Sequence, residues 1–98
     1  MSEDIRIYAI PFEKVWQAAS YLAGGGLRRW TLLSRDDLEG VIKAQTKTLV
    51  FRSVSDATVQ ISLDENGQTR VDVVAIKPAV IRRFLRALDK RLGANIAK

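Results

Sequence analysis

The chain has two prolines, Pro11 and Pro78, and each heads a segment whose apolar residues recur at three- and four-residue steps. Proline's fixed φ suits the first turn of a helix, and its missing N–H costs nothing there. After Pro11, one stripe is formed by Phe12, Val15, Trp16, Ala19, Leu22 and Ala23. After Pro78, another is formed by Ile81, Phe84, Leu85, Leu88 and Leu92, widened by Val80. The first helix is expected to stop at Gly24-Gly25-Gly26 and the second at Gly93. Nearly everything outside these segments carries the two-residue period of β-strands. Two helices of this kind, one near each end of a β-rich chain, leave few ways to build a core.

The strand pattern sets the rest of the order. Ile5–Ile10 alternates, with Ile5, Ile7 and Ala9 on one face and Arg6, Tyr8 and Ile10 on the other. Leu27–Ser34 reads as a second strand, followed by a polar turn over Ser34–Gly40. Strands are then expected near 41–47, near 49–52 and over Ala57–Leu63, where Ala57, Val59, Ile61 and Leu63 alternate with Thr58, Gln60 and Ser62. Asp64-Glu65-Asn66-Gly67 is a hairpin turn in which Asn-Gly would supply positive φ angles. The return strand, about Thr69–Ile76, ends in Val73-Val74-Ala75-Ile76, apolar on both faces, which predicts cover on both sides. An antiparallel sheet with one apolar face needs a cover, and two amphipathic helices provide it. The expectation is a single α+β domain over residues 1–98: a two-layer sandwich of about four to six antiparallel strands and two helices, in the order β-α-β-β-β-β-α.

Composition narrows the chemistry. The chain has neither cysteine nor histidine. Disulfides, thiolate nucleophiles, Cys-based metal sites and any triad built on a histidine base are therefore excluded. No catalytic residue, metal site or cofactor is assigned, and the expectation is that the chain is not an enzyme. Asp36, Asp37 and Glu39 match no calcium-loop spacing and read as a solvated turn. No apolar run approaches the roughly 18 residues that span a bilayer. The acidic start, Met1-Ser2-Glu3-Asp4, is unlike a secretory signal, so a cytoplasmic location is expected.

The order of elements is that of the helix-grip fold shared by START-like lipid-transfer and pollen-allergen domains. The residues resemble most closely an uncharacterised bacterial domain family of that type. The likeness runs through Pro11 to Val15-Trp16, Trp30, Gly40-Val41-Ile42-Lys43-Ala44, Thr48 to Phe51, Gly67–Val73 and Ile81-Arg82-Arg83-Phe84-Leu85, spanning about Ile5 to Leu92. The family's polar stretch before the last helix is replaced here by Val74-Ala75-Ile76-Lys77-Pro78, so no site residue is carried over. A looser similarity to the small helix-grip domains of an outer-membrane assembly lipoprotein implies that this shape can serve as a protein-binding module.

Two binding surfaces follow. In the first, a small apolar ligand or a partner protein sits between the last helix and the sheet, or along an open sheet edge, with Trp16, Trp30, Phe84 and Leu88 as the contact candidates and Tyr8 and Tyr21 nearby. The second is electrostatic. Residues 77–98 carry seven basic side chains against one acidic, whereas the first 76 carry nine against ten. Arg82, Arg86 and Lys90, at i, i+4 and i+8, form one stripe with Arg83 beside it, opposite the apolar stripe and on the same side as Asp89. Arg28 and Arg29 are candidates to extend it. Such a stripe suits nucleic acid or an anionic membrane. The β-prone segment Thr48-Leu49-Val50-Phe51 is the candidate edge for a homodimer.

Overall fold

The computed structural model describes residues 1–47 and 54–93. The chain folds into five strands and two helices: β1 (Ser2–Tyr8), α1 (Phe12–Tyr21), β2 (Trp30–Asp36), β3 (Val41–Lys47), β4 (Val54–Leu63), β5 (Thr69–Ala75) and α2 (Pro78–Arg91). The strands form one antiparallel sheet in the order β1-β5-β4-β3-β2, so β1 and β2 are its edges. This is the α+β two-layer sandwich expected, with a helix-grip-like arrangement. The expected strand near 49–52 and the segment Thr48–Phe51 lie outside the described residues.

Both prolines stand where helices begin. Pro11 is the N-cap of α1, its carbonyl accepting from the N–H groups of Lys14 and Val15, and Pro78 is the first residue of α2. The α-helical part of the first helix ends at Tyr21. The glycine run forms a single wide π turn, Leu22–Gly26, closed by Leu27 N–H donating to the Leu22 carbonyl at 3.0 Å. β2 then starts at Trp30, three residues later than the alternation suggested, because Arg29 takes a positive φ of 70° and turns the chain into the sheet.

Register decides what faces the core. One row across the sheet reads Asp4, Val73, Val59, Ile42 and Arg35; the next reads Ser2, Ala75, Ala57, Ala44 and Leu32. The three alanines are buried, and their small side chains leave depth beneath the helices. The large rings of Trp30 and Phe84 stack in the same layer with centroids 4.7 Å apart. Close packing around Ile81, Leu85 and Leu88 completes the core under α2.

Three further expectations need correction. β1 runs from Ser2 to Tyr8 instead of Ile5–Ile10, and the face it turns inward carries Arg6 and Tyr8, leaving Ile5 exposed and Ile7 half-buried. The polar face turns inward because α2 offers a partner for it. Secondly, the end of β5 is covered on one side only among the described residues. Val73 and Ala75 are buried, Val74 is half-buried, and Ile76 is 55% exposed. Finally, the hairpin takes its positive φ at Gly67 alone, and the Asp64 carboxylate shapes the rest by accepting from the N–H groups of Asn66 and Gln68.

Candidate functional site

Trp16, Trp30, Phe84 and Leu88 all fall in the hydrophobic core, with exposures of 6%, 5%, 0% and 0%. Trp30 stacks on Phe84, while Trp16 stacks on Phe12 at 6.0 Å and has the Arg35 guanidinium over its ring at 5.9 Å. The groove between α2 and the sheet is thus filled by the chain's own side chains. Tyr21 does not join them. It is 53% exposed and lies under the guanidinium of Arg91, 3.8 Å from the ring centroid.

The basic residues behave differently. Arg82, Arg83, Arg86 and Lys90 are all exposed. At 100° per residue they occupy about 100° of the helix circumference, opposite the buried stripe of Ile81, Phe84, Leu85 and Leu88. Among the described residues no carboxylate stands within ion-pair distance of any of them; the ion pairs present are Arg6–Asp89, Arg35–Asp37 and Arg70–Asp72. Four positive charges therefore share one helix face with no counter-charge in contact.

Asp89 explains why. It is the single acid of α2, and instead of standing among the arginines it turns toward β1, where it accepts from the Arg6 guanidinium and the Tyr8 hydroxyl. Tyr8 is fully buried. Burial first, and the hydrogen bond and charge of Asp89 second, push its hydroxyl well above the ordinary phenol value, so it remains a donor. The sequence held one sign of this cluster: a strand face pairing Arg6 with Tyr8, and a lone acid in an otherwise basic helix. Helical periodicity alone put Asp89 on the outer side, because it lies at the flank of the stripe where a small tilt decides which way the side chain goes.

The acidic turn is committed locally. The Asp36 carboxylate accepts from the N–H groups of Leu38 and Glu39, and Asp37 pairs with Arg35 at 3.1 Å. On the uncovered face of the sheet, the carboxyl of exposed Glu3 is raised above its usual range, first by the hydrogen bond its protonated form donates to Asp72 and then by the negative charge of Asp72. No group of three or more metal-ligating side chains comes together among the described residues, and no helix described is long and apolar enough to cross a membrane.

Open clefts lie around this core among the described residues, and four of them have no lining from Trp16, Trp30, Phe84 or Leu88. One of them, of about 860 Å³, lies between α1 and the C-terminal end of α2.

With that geometry in view, the architecture can be set beside solved structures. The protein MLL2253 of Mesorhizobium loti superposes with a TM-score of 0.62 at 14% identity, over 94% of this chain and 96% of that one. The two share a fold. The di-domain ARO/CYC StfQ of the steffimycin biosynthetic pathway aligns with a TM-score of 0.48 at 16% identity, over 97% of this chain, which spans 44% of StfQ. No family model matches the sequence, and neither does any curated protein. The likeness is one of architecture, and function has to be argued from the side chains.

Proposed function

We propose that the chain is a non-catalytic binding module of helix-grip type that meets a phosphate-bearing polyanion through the outer face of α2. One observation carries the reading: Arg82, Arg83, Arg86 and Lys90 are exposed on a single helix face with no carboxylate of the described residues in contact, while the helix's one acid is turned to β1. Unpaired cations at four-residue spacing stand about 6 Å apart along the axis, and each can meet a phosphate oxygen with a charge-assisted hydrogen bond. The apolar stripe of α2 is committed to the sheet, so the contact is electrostatic and made on the outside of the fold. An apolar ligand held beneath α2 would first have to displace the stacked Trp30–Phe84 pair.

The non-catalytic part of the reading is supported by the chain's lack of histidine and cysteine and by the use of its part-buried titratable cluster, Arg6–Asp89–Tyr8, as a tie between strand and helix. Membership of the bacterial helix-grip family that the residues resemble, and a cytoplasmic location, belong to the same proposal.

The test is a binding titration with two arms, a fluorescent single-stranded oligonucleotide and vesicles containing anionic phospholipid. The wild-type chain is expected to bind in one arm, which identifies the source of the phosphates. The triple variant Arg82→Gln, Arg86→Gln, Lys90→Gln is expected to lose that binding while unfolding at the same temperature. Failure of the wild type in both arms, or full binding by the triple variant, overturns the reading.

A further inference from the structure

The cleft between α1 and the end of α2 is separate from the outer face of α2 and has the makings of an anion site. Its walls come from the link between β1 and α1, from one face of α1, and from the end of α2. The link is pinned by Thr69, whose hydroxyl donates to the Ile10 carbonyl at 2.6 Å. Along α1, Lys14, Gln17 and Ala18 follow at three- and four-residue steps and so share a face. At the far side α2 ends with Arg91 and Leu92, the Leu92 N–H still donating to the Leu88 carbonyl at 2.9 Å. Buried Ala18 with half-buried Ile10 and Leu92 gives the cleft an apolar part, and exposed Lys14, Gln17 and Arg91 give it a polar rim.

Arg91 is the informative member. Its guanidinium is stacked on the Tyr21 ring at 3.8 Å. Stacking occupies a face of the planar group and fixes its orientation, but the N–H donors lie in the plane and point outward from its edge. Among the described residues no carboxylate lies within ion-pair distance of Arg91 or of Lys14 across the cleft. A guanidinium held by an aromatic ring, with a second cation and apolar residues lining the same cleft, suits a forked oxyanion attached to a hydrocarbon body. The volume, about 860 Å³, lies within the range of small-molecule sites.

We infer that this cleft binds a small amphiphilic organic anion, its carboxylate or phosphate head held between Arg91 and Lys14 and its apolar body lying on Ile10, Ala18 and Leu92. The site stands apart from the outer stripe of α2, so it can be present or absent whatever the polyanion proposal's outcome.

The experiment is a two-dimensional amide NMR titration of the full chain with octanoate, with octyl phosphate and with the neutral octyl glucoside. Saturable shifts confined to the neighbourhood of Lys14, Gln17, Ala18 and Leu92 are expected for at least one of the two anions and not for the neutral probe; which anion binds more tightly identifies the head group. Arg91→Gln and Lys14→Gln, both surface changes, should each weaken binding about tenfold, the amount one charge-assisted hydrogen bond contributes. Lys43→Gln, the same charge change on the far side of the sheet, should leave it unaltered. Shifts that do not saturate, equal binding of the neutral probe, or binding that survives both cleft variants overturns the inference.

Discussion

Gly40 is held by two constraints at once. Its φ is +70°, and a Cβ built there would stand 2.2 Å from the backbone oxygen of Ile61. The close approach is functional for the fold, because the Ile61 N–H donates to the Gly40 carbonyl at 2.7 Å and thereby joins the β2–β3 turn to β4. Gly40→Ala is therefore expected to cost about 2 kcal/mol or more, read as a lowered denaturation midpoint with unchanged slope. Ser20 presents the opposite case. Its hydroxyl is buried in α1 without a hydrogen-bond partner. Ser20→Ala removes an unsatisfied polar group and supplies a better helix former, so stability should rise by about 1 kcal/mol, or about 4–8 °C in Tm for a domain of this size. A calorimetric scan that finds Ser20→Ala less stable than the wild type would show that the hydroxyl has a partner in solution.

At the level of elements, α2 is held by two kinds of contact. The first is apolar: Phe84 and Leu88 are fully buried, and replacing Phe84 by Ala should cost about 3–5 kcal/mol. That is a large share of the roughly 5–15 kcal/mol that stabilises a domain of this kind, so Phe84→Ala is expected to be marginally folded in chemical denaturation. The second is the polar tie of Tyr8 and Arg6 to Asp89. The unfolded chain releases the Tyr8 proton near pH 10, whereas the folded chain keeps it to higher pH. Above that point the unfolded state binds fewer protons than the native one, so this contribution is complete below about pH 10 and is lost as the pH rises beyond it. Urea unfolding across the alkaline range should show that decline in the wild type and a smaller one in Tyr8→Phe; equal slopes would contradict the assignment.

The elements were largely legible in the sequence because each rests on a strong local signal: proline followed by an apolar stripe, alternation in Ala57–Leu63, and a turn at Asp64–Gly67. The errors fell where tertiary partners overrode the pattern. Ile5 and Ile7 look like core residues until Asp89 draws the Arg6–Tyr8 face inward. Leu27 alternates with its neighbours, yet the positive φ of Arg29 delays the strand to Trp30. The candidate sites divide the same way. The exposure of the basic stripe follows from helical periodicity, whereas the burial of Trp16 and Trp30 depends on how deep the alanine row lets the helices sit, which no local pattern encodes. The pairing of Arg91 with Tyr21 joins residues seventy positions apart and left no sequence signal.

Across the whole molecule, the excess positive charge is concentrated in the last quarter of the chain, and four of its cations, Arg82, Arg83, Arg86 and Lys90, share one side of α2. A domain whose core is filled, and whose last helix turns its one acid toward the sheet, suits the proposed recognition by its surface. Each cation that meets a phosphate on a single strand contributes about −0.7 to the slope of log affinity against log salt. The most direct test is an anisotropy titration of a labelled single-stranded oligonucleotide at about 50 and 200 mM salt, with the wild type and the Arg82, Arg86, Lys90 triple glutamine variant. Four contacts predict a slope of about −3, or a roughly fiftyfold loss of affinity over that interval, with the slope falling to about −1 in the variant. An affinity that is flat with salt, or a slope the variant does not change, would contradict the claim that α2 presents a polyanion-binding face.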